Sequence, residues 1–355
     1  MKALVLSGGA GTRLRPFSYS MPKQLIPIAN KPVLEHVLEN IRDLDITDVG
    51  VIVGDWGPEI REVIGDGSRL GVRITYIPQE KPLGLAHCVA ISRAFLGDDD
   101  FVLYLGDNML PEGVADVAEQ FTKTRPDAHV VVQKVPDPQG FGVAELGTDG
   151  RVEHLVEKPS RPRSDLALIG VYFFTDRIHR AVAAIGSSAR GELEITDAIQ
   201  WLVRHGHEVR ASEYTGYWKD TGRVEDVLEC NQQLLGCLTT DVRGDVDALS
   251  RLSGRVVIEE GARVLRSQVE GPVIIGAGTV VEDSRIGPGT TVGRHCVVRY
   301  TRLTYSIVMD GACITAVPGL RGSVIGRNAT VGAGRVGDAD HRLVVGDDTR
   351  IEVTA

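Results

Sequence analysis

Residues 274–298 read IIGAGTVVEDSRIGPGTTVGRHCVV, with an isoleucine or a valine at every sixth position. The same interval recurs through the last hundred residues, at Ile258 and Val264, at Ile274, Val280, Ile286, Val292 and Val298, at Val308, Ile314 and Leu320, at Ile325 and Val331, and at Val345 and Ile351. Six residues is neither the period of a helix nor that of an alternating strand. A hexapeptide repeat is typical of a β-helix, in which each repeat supplies a short strand and turns one corner. The pattern therefore predicts a left-handed parallel β-helix with the periodic residues pointing inward.

The first 230 residues instead alternate short apolar runs with helical patterns. The runs of strand length are Ala3–Leu6, Val49–Val53, Val72–Ile77 and Phe101–Leu105, and helices are predicted over Pro32–Asp43, Leu85–Phe95, Asp176–Ile185, Ile195–His205 and Val224–Leu238. An antiparallel pair is predicted over Phe141–Leu146 and Val152–Val156. This alternation predicts an α/β fold, a Rossmann-like and mostly parallel sheet with helices on both faces. Ligands of such sheets bind beyond the carboxyl ends of the strands.

The length of 355 residues exceeds what one hydrophobic core usually supports. We therefore expect an α/β domain over residues 1–235, a linker over 236–252 and a β-helix domain over 253–355. The formal net charge of −9 gives no electrostatic basis for binding nucleic acid or an anionic membrane. Five cysteines without CxxC spacing argue against disulfides and zinc, and no apolar run is long enough for a membrane span or a signal peptide. We expect a cytoplasmic protein.

A glycine-rich loop follows the first predicted strand, with the sequence Ser7-Gly8-Gly9-Ala10-Gly11-Thr12-Arg13-Leu14. Glycines at such a turn let backbone N–H groups approach an anion closely. The loop is neither a Walker A motif, since no Gly-Lys-Ser/Thr follows, nor a dinucleotide fingerprint, since Leu14 stands where the third glycine belongs. Taken alone, it is as consistent with a simple tight turn as with a phosphate site.

The residues after this loop point to a family. The chain resembles the sugar-phosphate nucleotidylyltransferases, whose N-terminal signature is GGxGTRLxPxT…PKxLxP…KP, with Ser18 at the usual threonine. The matching positions are Gly8–Leu14, Pro16, Pro22-Lys23, Leu25, Pro27 and Lys31-Pro32. Further family motifs are Leu105-Gly106-Asp107-Asn108, Phe141-Gly142-Val143, Glu157-Lys158-Pro159, Gly191–Asp197 and Trp218–Gly222. With its hexapeptide tail, the whole chain is similar to the long-form glucose-1-phosphate thymidylyltransferases of that family.

The resemblance implies that dTTP and glucose-1-phosphate condense to dTDP-glucose and pyrophosphate. Arg13, Lys23 and Lys158 are then the catalytic cations, which align two repelling anions. Asp107 and Asp220 are the implied ligands of Mg²⁺, the implied cofactor. The implied nucleotide-binding residues are Leu6, Gly8, Gly9, Gly11, Thr12, Arg13, Gln24, Gln79, Pro82, Gly84 and Asp107. The implied sugar-phosphate-binding residues are Gly142, Glu157, Lys158, Leu168, Gly170 and Trp218.

Base and sugar identity rest on fewer residues. A glutamine side chain can donate to O4 and accept from N3–H of a pyrimidine, so Gln79 suits thymine or uracil. Lys81-Pro82-Leu83 departs from the Ser-Pro-Asp common in short-form relatives, which leaves UTP open beside dTTP. Phe141 replaces a common tyrosine, and Leu168-Ile169-Gly170 replaces Val-Thr-Gly, so another hexose-1-phosphate also stays open. His87 is expected to be a packing residue.

Two other functions remain as alternatives. Hexapeptide β-helices often carry acetyltransferase activity with a histidine base, for which the tail offers His295 and His341. A non-catalytic regulatory paralogue is the second alternative, although such proteins usually lack the acidic and basic residues present here. The β-helix is expected to be structural and to support a homo-oligomer.

Overall fold

The computed structural model of the chain describes residues 1–9, 11–335 and 343–354. The chain forms two compact units, one over Met1–Gly9 and Val33–Lys219 and the other over Ala10–Pro32 and Asp220–Ala355. The glycine-rich loop therefore begins in the first unit, and the chain from there to Pro32 belongs to the second. No helix among the described residues combines the length and the apolar character needed to cross a membrane.

The first unit contains one nine-stranded sheet. Its strands are β1 (Lys2–Ser7), β2 (Asp48–Val53), β3 (Arg73–Pro78), β4 (Phe101–Leu105), β5 (Ala128–Lys134), β6 (Gly142–Leu146), β7 (Val152–Glu157), β8 (Leu166–Phe174) and β9 (Val209–Glu213). The main order is β7-β6-β8-β4-β1-β2-β3, and β5 pairs with β8 and β9. A two-residue strand, Asn108–Met109, follows β4.

Strands β1 to β4 form the larger parallel part of this sheet, with β1 between β2 and β4 and with β3 beyond β2, and β9 also runs parallel to β5. Strands β1, β2 and β4 are buried on both faces, which is typical of a sheet covered by helices, whereas the edge strand β3 is partly exposed. Strand β8 runs antiparallel to β4, β5 and β6, and β6 is antiparallel to β7. The predicted α/β sheet with an antiparallel addition is confirmed.

Seven helices belong to the first unit: α1 (Val33–Arg42), α2 (Gly57–Ile64), α3 (Leu85–Ile91), α4 (Arg93–Leu96), α5 (Ala115–Thr124), α6 (Ile178–Ala184) and α7 (Ile195–Arg204). A short 3₁₀ turn covers Ser68–Leu70 and another covers Pro138–Gly140. The helix predicted over Leu85–Phe95 is interrupted at Ser92, whose hydroxyl donates to the Cys88 carbonyl. A serine bonded to its own helix in this way competes with regular helical geometry.

The second unit contains the β-helix, built from three parallel sheets. The first sheet holds Asp241–Val242, Val256–Ile258, Val273–Ile275, Thr290–Val292, Ile307–Val308, Val324–Ile325 and Val344–Val345. The second holds Asp245–Val246, Arg263–Leu265, Val280–Glu282, Val297–Arg299, Cys313–Thr315, Thr330–Arg335 and Arg350–Thr354. The third holds Arg251–Ser253, Gln268–Glu270, Arg285–Ile286, Arg302–Thr304 and Leu320–Arg321. These stacked sheets agree with the predicted left-handed parallel β-helix, and they begin within the stretch expected to be a linker.

The inward-facing residues differ from the prediction at two positions. Ile275 and Val281 join the buried interior stack, whereas the predicted Val280 is only half-buried and Ile274 lies beside that stack. Equivalent residues of the coils around these positions are 17 apart, as in the bond from the Ser284 amide to the Ser267 hydroxyl, and later coils have steps of 16 and 20 residues. Three exact hexapeptides would span eighteen residues. A strict count of six therefore falls out of register with the structure by one residue in each 17-residue coil.

The remainder of the second unit consists of one helix and an irregular segment. Helix α8 covers Val224–Leu235, three residues shorter than predicted. The segment before α1 contains three 3₁₀ turns, at Thr12–Leu14, Phe17–Tyr19 and Lys23–Leu25, and two short strands, Pro27–Ile28 and Lys31–Pro32, which pair with each other. The two-residue strand Lys219–Asp220 lies where the units meet along the chain.

Candidate nucleotide and sugar-phosphate site

The carboxyl ends of the parallel strands in the first unit meet around Gly8 and Asp107. The Gly106 amide, just after β4, donates to the Leu6 carbonyl of β1 at 2.9 Å. A Cβ at Gly106 would lie 2.7 Å from the Ser7 hydroxyl, so this close approach requires glycine. Leu6 and Asp107 are both buried, while Gly9 is exposed. The predicted phosphate loop and the predicted metal ligand Asp107 thus follow neighbouring strands at one edge.

Gln79 lies at the same edge, directly after β3. A Cβ on Gly8 would lie 3.3 Å from Gln79 Oε1, so the amide oxygen points toward the glycine-rich loop. Gln79 Nε2 lies 2.9 Å from His87 Nδ1 and 3.5 Å from the Gly84 carbonyl. His87, predicted to be a packing residue, thus contacts the side chain that is expected to read the base.

Gly84 adopts a backbone conformation that requires glycine. Its φ is +104°, and a Cβ there would collide with the backbone of Leu193. Leu193 also holds the chain on both sides of Gly84. Its amide donates to the Leu83 carbonyl, and its carbonyl accepts from the Ala86 amide. The structure thus brings Gly8, Gln79 and Gly84 together, while the adjacent predicted residue Pro82 is exposed.

A second group of predicted residues surrounds Glu157, at the end of β7. A Cβ on Gly142 would lie 2.8 Å from Leu168 Cδ1 and 3.2 Å from Glu157 Oε2, so these three residues line one surface. The Thr196 hydroxyl donates to Glu157 Oε2 at 3.2 Å. A carboxylate beside glycine and leucine suits hydrogen bonding to hydroxyl groups of a sugar.

Two cations accompany this carboxylate. Lys158 Nζ and Arg190 Nη1 lie 3.7 and 3.3 Å from Glu157 Oε1. Arg190 also pairs with Glu194, whose side chain is buried, and burial raises the pKa of that carboxyl. Lys158 adopts a φ of +42°, a left-handed conformation that is uncommon for a residue other than glycine. Sequence reasoning missed Arg190, which is 33 positions from Glu157 and matches no basic motif.

Trp218 and Gly170 meet at Asn108. The Trp218 indole donates to Asn108 Oδ1 at 3.3 Å, and Asn108 Nδ2 donates to the Ile169 carbonyl at 3.1 Å. A Cβ on Gly170 would collide with Asn108 Nδ2. The Phe141 ring lies edge-on to Trp218 at a centroid distance of 5.4 Å. Asn108 is thus the second residue missed among the candidate site residues, although it sits in the Leu-Gly-Asp-Asn motif.

The remaining predicted residues belong to the second unit. Arg13 Nη2 donates to Asp220 Oδ2 at 3.4 Å. Gly11 has a φ of +61°, and a Cβ there would lie 3.3 Å from Lys23 Cβ, so the two turns carrying Arg13 and Lys23 pack closely. Gln24 is buried, and Thr12 begins the first turn. The predicted residues thus form clusters in each unit.

The carboxylates Asp107 and Asp220 provide the donor type that Mg²⁺ prefers, hard oxygen ligands used together with phosphate oxygens and water. Among the described residues, no group of three or more His, Cys, Asp or Glu side chains is arranged to hold a metal ion. A dedicated protein cage is thus not found there. Either carboxylate could bind an ion that arrives with a triphosphate.

The acetyltransferase alternative rests on the two tail histidines, of which the structure describes His295. His295 lies at a coil corner with a φ of +53° beside Gly278. His341 is outside the described residues.

Comparison with known proteins identifies the family of this chain. The family model described as "Nucleotidyl transferase" matches residues 2–236. The chain is 53% identical over 355 residues to a glucose-1-phosphate thymidylyltransferase of Streptomyces griseus, with both chains covered completely. It is 51% identical over 354 residues to that of Streptomyces antibioticus, covering 99% of each. A solved Bacillus anthracis structure, provisionally described as a glucose-1-phosphate thymidylyltransferase in complex with sucrose, is 33% identical, with a TM-score of 0.61 over 65% of this chain and 94% of its own. This chain therefore belongs to the nucleotidyl transferase family.

Proposed function

We propose that this chain is a glucose-1-phosphate thymidylyltransferase, which converts dTTP and glucose-1-phosphate to dTDP-glucose and pyrophosphate. The observation that carries the proposal is the full-length identity of 53% to a relative bearing that name. The Gly8–Gln79–Gly84 cluster and the Glu157–Lys158–Arg190 cluster support it, since the first suits a pyrimidine nucleotide and the second a sugar phosphate.

The reaction requires one phosphate oxygen of the sugar phosphate to attack the α-phosphorus of the triphosphate. The new P–O bond forms as the bond between the α-phosphorus and its bridging oxygen breaks, and pyrophosphate leaves with that electron pair. The protein's task is to align two anions and to neutralise their charge. Arg13 and Lys23 bind the triphosphate, and Lys158 and Arg190 hold the sugar phosphate.

Asp107 and Asp220 would hold Mg²⁺ together with triphosphate oxygens. When bound, the ion supplies charge neutralisation at the phosphates and a template for their orientation. The two carboxylates otherwise act through this chain's own contacts, as in the ion pair between Asp220 and Arg13.

Base selection follows from the orientation of Gln79. Gln79 Nε2 faces His87 Nδ1, and Gln79 Oε1 therefore points toward Gly8. In this orientation Oε1 can accept a hydrogen bond from N3–H of thymine or uracil. Cytosine lacks that proton and is rejected. dTTP and UTP differ in the base by one methyl group, worth about 1–3 kcal/mol in a pocket. We therefore expect UTP to be a poorer substrate rather than an excluded one.

We also propose that the protein acts as a homo-oligomer in the cytoplasm. Stacked β-helix edges and faces commonly pair between subunits. Light scattering coupled to size-exclusion chromatography measures the oligomer, and a monomer at micromolar concentration would overturn this part of the proposal.

The proposed activity is tested by incubating the enzyme with dTTP, UTP, dCTP, ATP or GTP against glucose-, galactose-, mannose- or N-acetylglucosamine-1-phosphate. Product mass and pyrophosphate release are read together. We expect dTDP-glucose to form fastest, UDP-glucose more slowly, and both to depend on Mg²⁺. Lys158→Met should abolish turnover, whereas Lys134→Met, which removes an exposed lysine paired with Glu213, should not. Absence of turnover with every pair would overturn the proposed function.

A further inference from the structure

The segment that carries Arg13 and Lys23 has little regular structure of its own. Within the second unit it consists of three single 3₁₀ turns and a pair of two-residue strands. The described backbone bonds of these turns join residues only three or four positions apart, as from Leu14 to Gly11 and from Met21 to Phe17, and do not connect one turn to the next. The positions of the two cations therefore depend on what the segment is attached to.

One attachment lies near its end, at helix α8 and the β-helix. The Ala29 amide donates to Oδ1 of Asn231, a fully buried residue of α8, at 2.8 Å. Asn30 Nδ2 donates to the Val292 carbonyl at 2.7 Å. Ala29 and Asn30 both have positive φ values, 51° and 59°, so the turn is shaped to make these contacts.

A second attachment holds the middle of the segment, between the two cations. The Ser20 hydroxyl donates to Asp347 Oδ2 at 2.9 Å, and Arg327 Nη2 donates to the Ser20 carbonyl at 3.1 Å. Asp347 and Arg327 come from the last two described coils of the β-helix. A Cβ on Gly346 would lie 3.3 Å from Pro16, so the coil also packs against the segment there.

The two coil residues are themselves tightly joined. Arg327 donates from Nε and Nη2 to Asp347 Oδ2 at 2.9 and 2.7 Å, and its amide donates to Oδ1 at 2.8 Å. The Asp347 side chain is only 4% exposed. A buried carboxylate held by several donors has a fixed position, and so offers a rigid acceptor to Ser20.

We propose that Arg327 and Asp347 are positioning residues for the nucleotide, acting through Ser20. The inference rests on the proposed function, since it assigns Arg13 and Lys23 to the triphosphate. By fixing Ser20, the end of the β-helix sets the conformation of the segment on both sides and pre-organises the two cations. The β-helix is thus a part of the nucleotide site rather than only a structural extension.

The chain offers a matched control for these residues. Arg266 likewise donates from Nε and Nη2 to an aspartate of the next coil, Asp283, at 2.8 and 2.7 Å, although to its two oxygens rather than to one. The described contacts of that pair are to the β-helix alone. Asp283→Asn therefore removes a coil-bridging ion pair without touching the segment.

The experiment compares Asp347→Asn, Ser20→Ala and Asp283→Asn in the full chain by steady-state kinetics. For Asp347→Asn we expect KM for dTTP to rise about tenfold, a change of about 1.4 kcal/mol. KM for glucose-1-phosphate should change less than twofold. Ser20→Ala should raise KM for dTTP by a smaller factor. Asp283→Asn should change neither KM for dTTP nor KM for glucose-1-phosphate. Unchanged KM for dTTP in Asp347→Asn, or an equal effect in Asp283→Asn, would overturn the proposal.

Limited trypsin digestion read by mass spectrometry gives a measurement that does not depend on activity. Cleavage after Arg13 or Lys23 should be several-fold faster in Asp347→Asn than in wild type or Asp283→Asn. If the wild type makes no nucleotide sugar, the proposed function fails, while this digestion still decides whether the segment is held. Equal digestion of the three proteins would show that the coil does not restrain it.

Discussion

Arg13 and Asp220 form an ion pair, with 3.4 Å between Nη2 and Oδ2 and with side chains 60% and 33% exposed. A Cβ at Gly222 would lie 2.7 Å from Arg13 Nη2, so a glycine leaves room for the guanidinium. An ion pair this exposed contributes only about 0–1 kcal/mol to folding. We therefore interpret it as part of the phosphate site, in which the carboxylate orients the arginine.

The first prediction separates this role from stability. Asp220→Asn should lower kcat/KM about 100-fold, because a carboxylate that orients a phosphate-binding cation acts where charge is rearranged. The thermal midpoint should change by about 1 °C or less, since the exposed pair contributes little to folding. Asp241→Asn is the control, because it breaks an exposed pair with Arg243 in the same unit. A large loss of midpoint with full activity would contradict this interpretation.

The second prediction concerns His87 as the residue that orients Gln79. His87→Phe removes the acceptor 2.9 Å from Gln79 Nε2 and lets the amide rotate. The preference for dTTP over dCTP, measured as the ratio of kcat/KM values, should fall about tenfold, equivalent to about 1.4 kcal/mol. His87→Asn, which can supply a side-chain oxygen as acceptor, should retain more of the preference. A ratio unchanged in His87→Phe would show that the histidine only packs.

The third prediction concerns Arg190. Arg190→Met should raise KM for glucose-1-phosphate at least tenfold while KM for dTTP changes little, because the cation lies in the Glu157 cluster and not in the Gln79 cluster. Arg210→Met is the matched control, since it removes an arginine paired with Glu208 at 2.7 Å. Equal increases in both KM values would mean that Arg190 supports the fold around Glu194 instead of binding substrate.

The sequence predicts the strands, helices and repeats, which depend on local or periodic patterns. It does not predict contacts between residues that are far apart along the chain. The alternation of strands and helices indicates the sheet, and the phosphate loop follows β1 as expected. The interior of the β-helix is predicted with two residues out of phase, since hexapeptide counting cannot reveal a 17-residue coil. The bond between Ser20 and Asp347 joins residues 327 positions apart, and no motif signals it. Contacts of this kind depend on the tertiary path of the chain.

The last prediction concerns the pH dependence of stability through His129, a residue of β5 that is 2% exposed. Burial lowers the pKa of His129 from 6.5 to about 4, and the charge of Arg210 acts in the same direction. Between these values the unfolded chain binds a proton that the folded chain does not. The free energy of unfolding therefore falls as the pH drops from about 6.5 to about 4, by up to about 3 kcal/mol from this group.

Replacing the histidine by an uncharged residue should remove this dependence. His129→Asn keeps a group able to bond the Ser212 hydroxyl, which lies 2.8 Å from His129 Nε2. Urea unfolding at pH 7 and pH 5 measures the difference in unfolding free energy. We expect that difference to shrink by about 1–2 kcal/mol in His129→Asn and to stay unchanged in His205→Asn, which removes an exposed histidine. If both variants lose stability between the two pH values as the wild type does, other groups control the acid sensitivity of the fold.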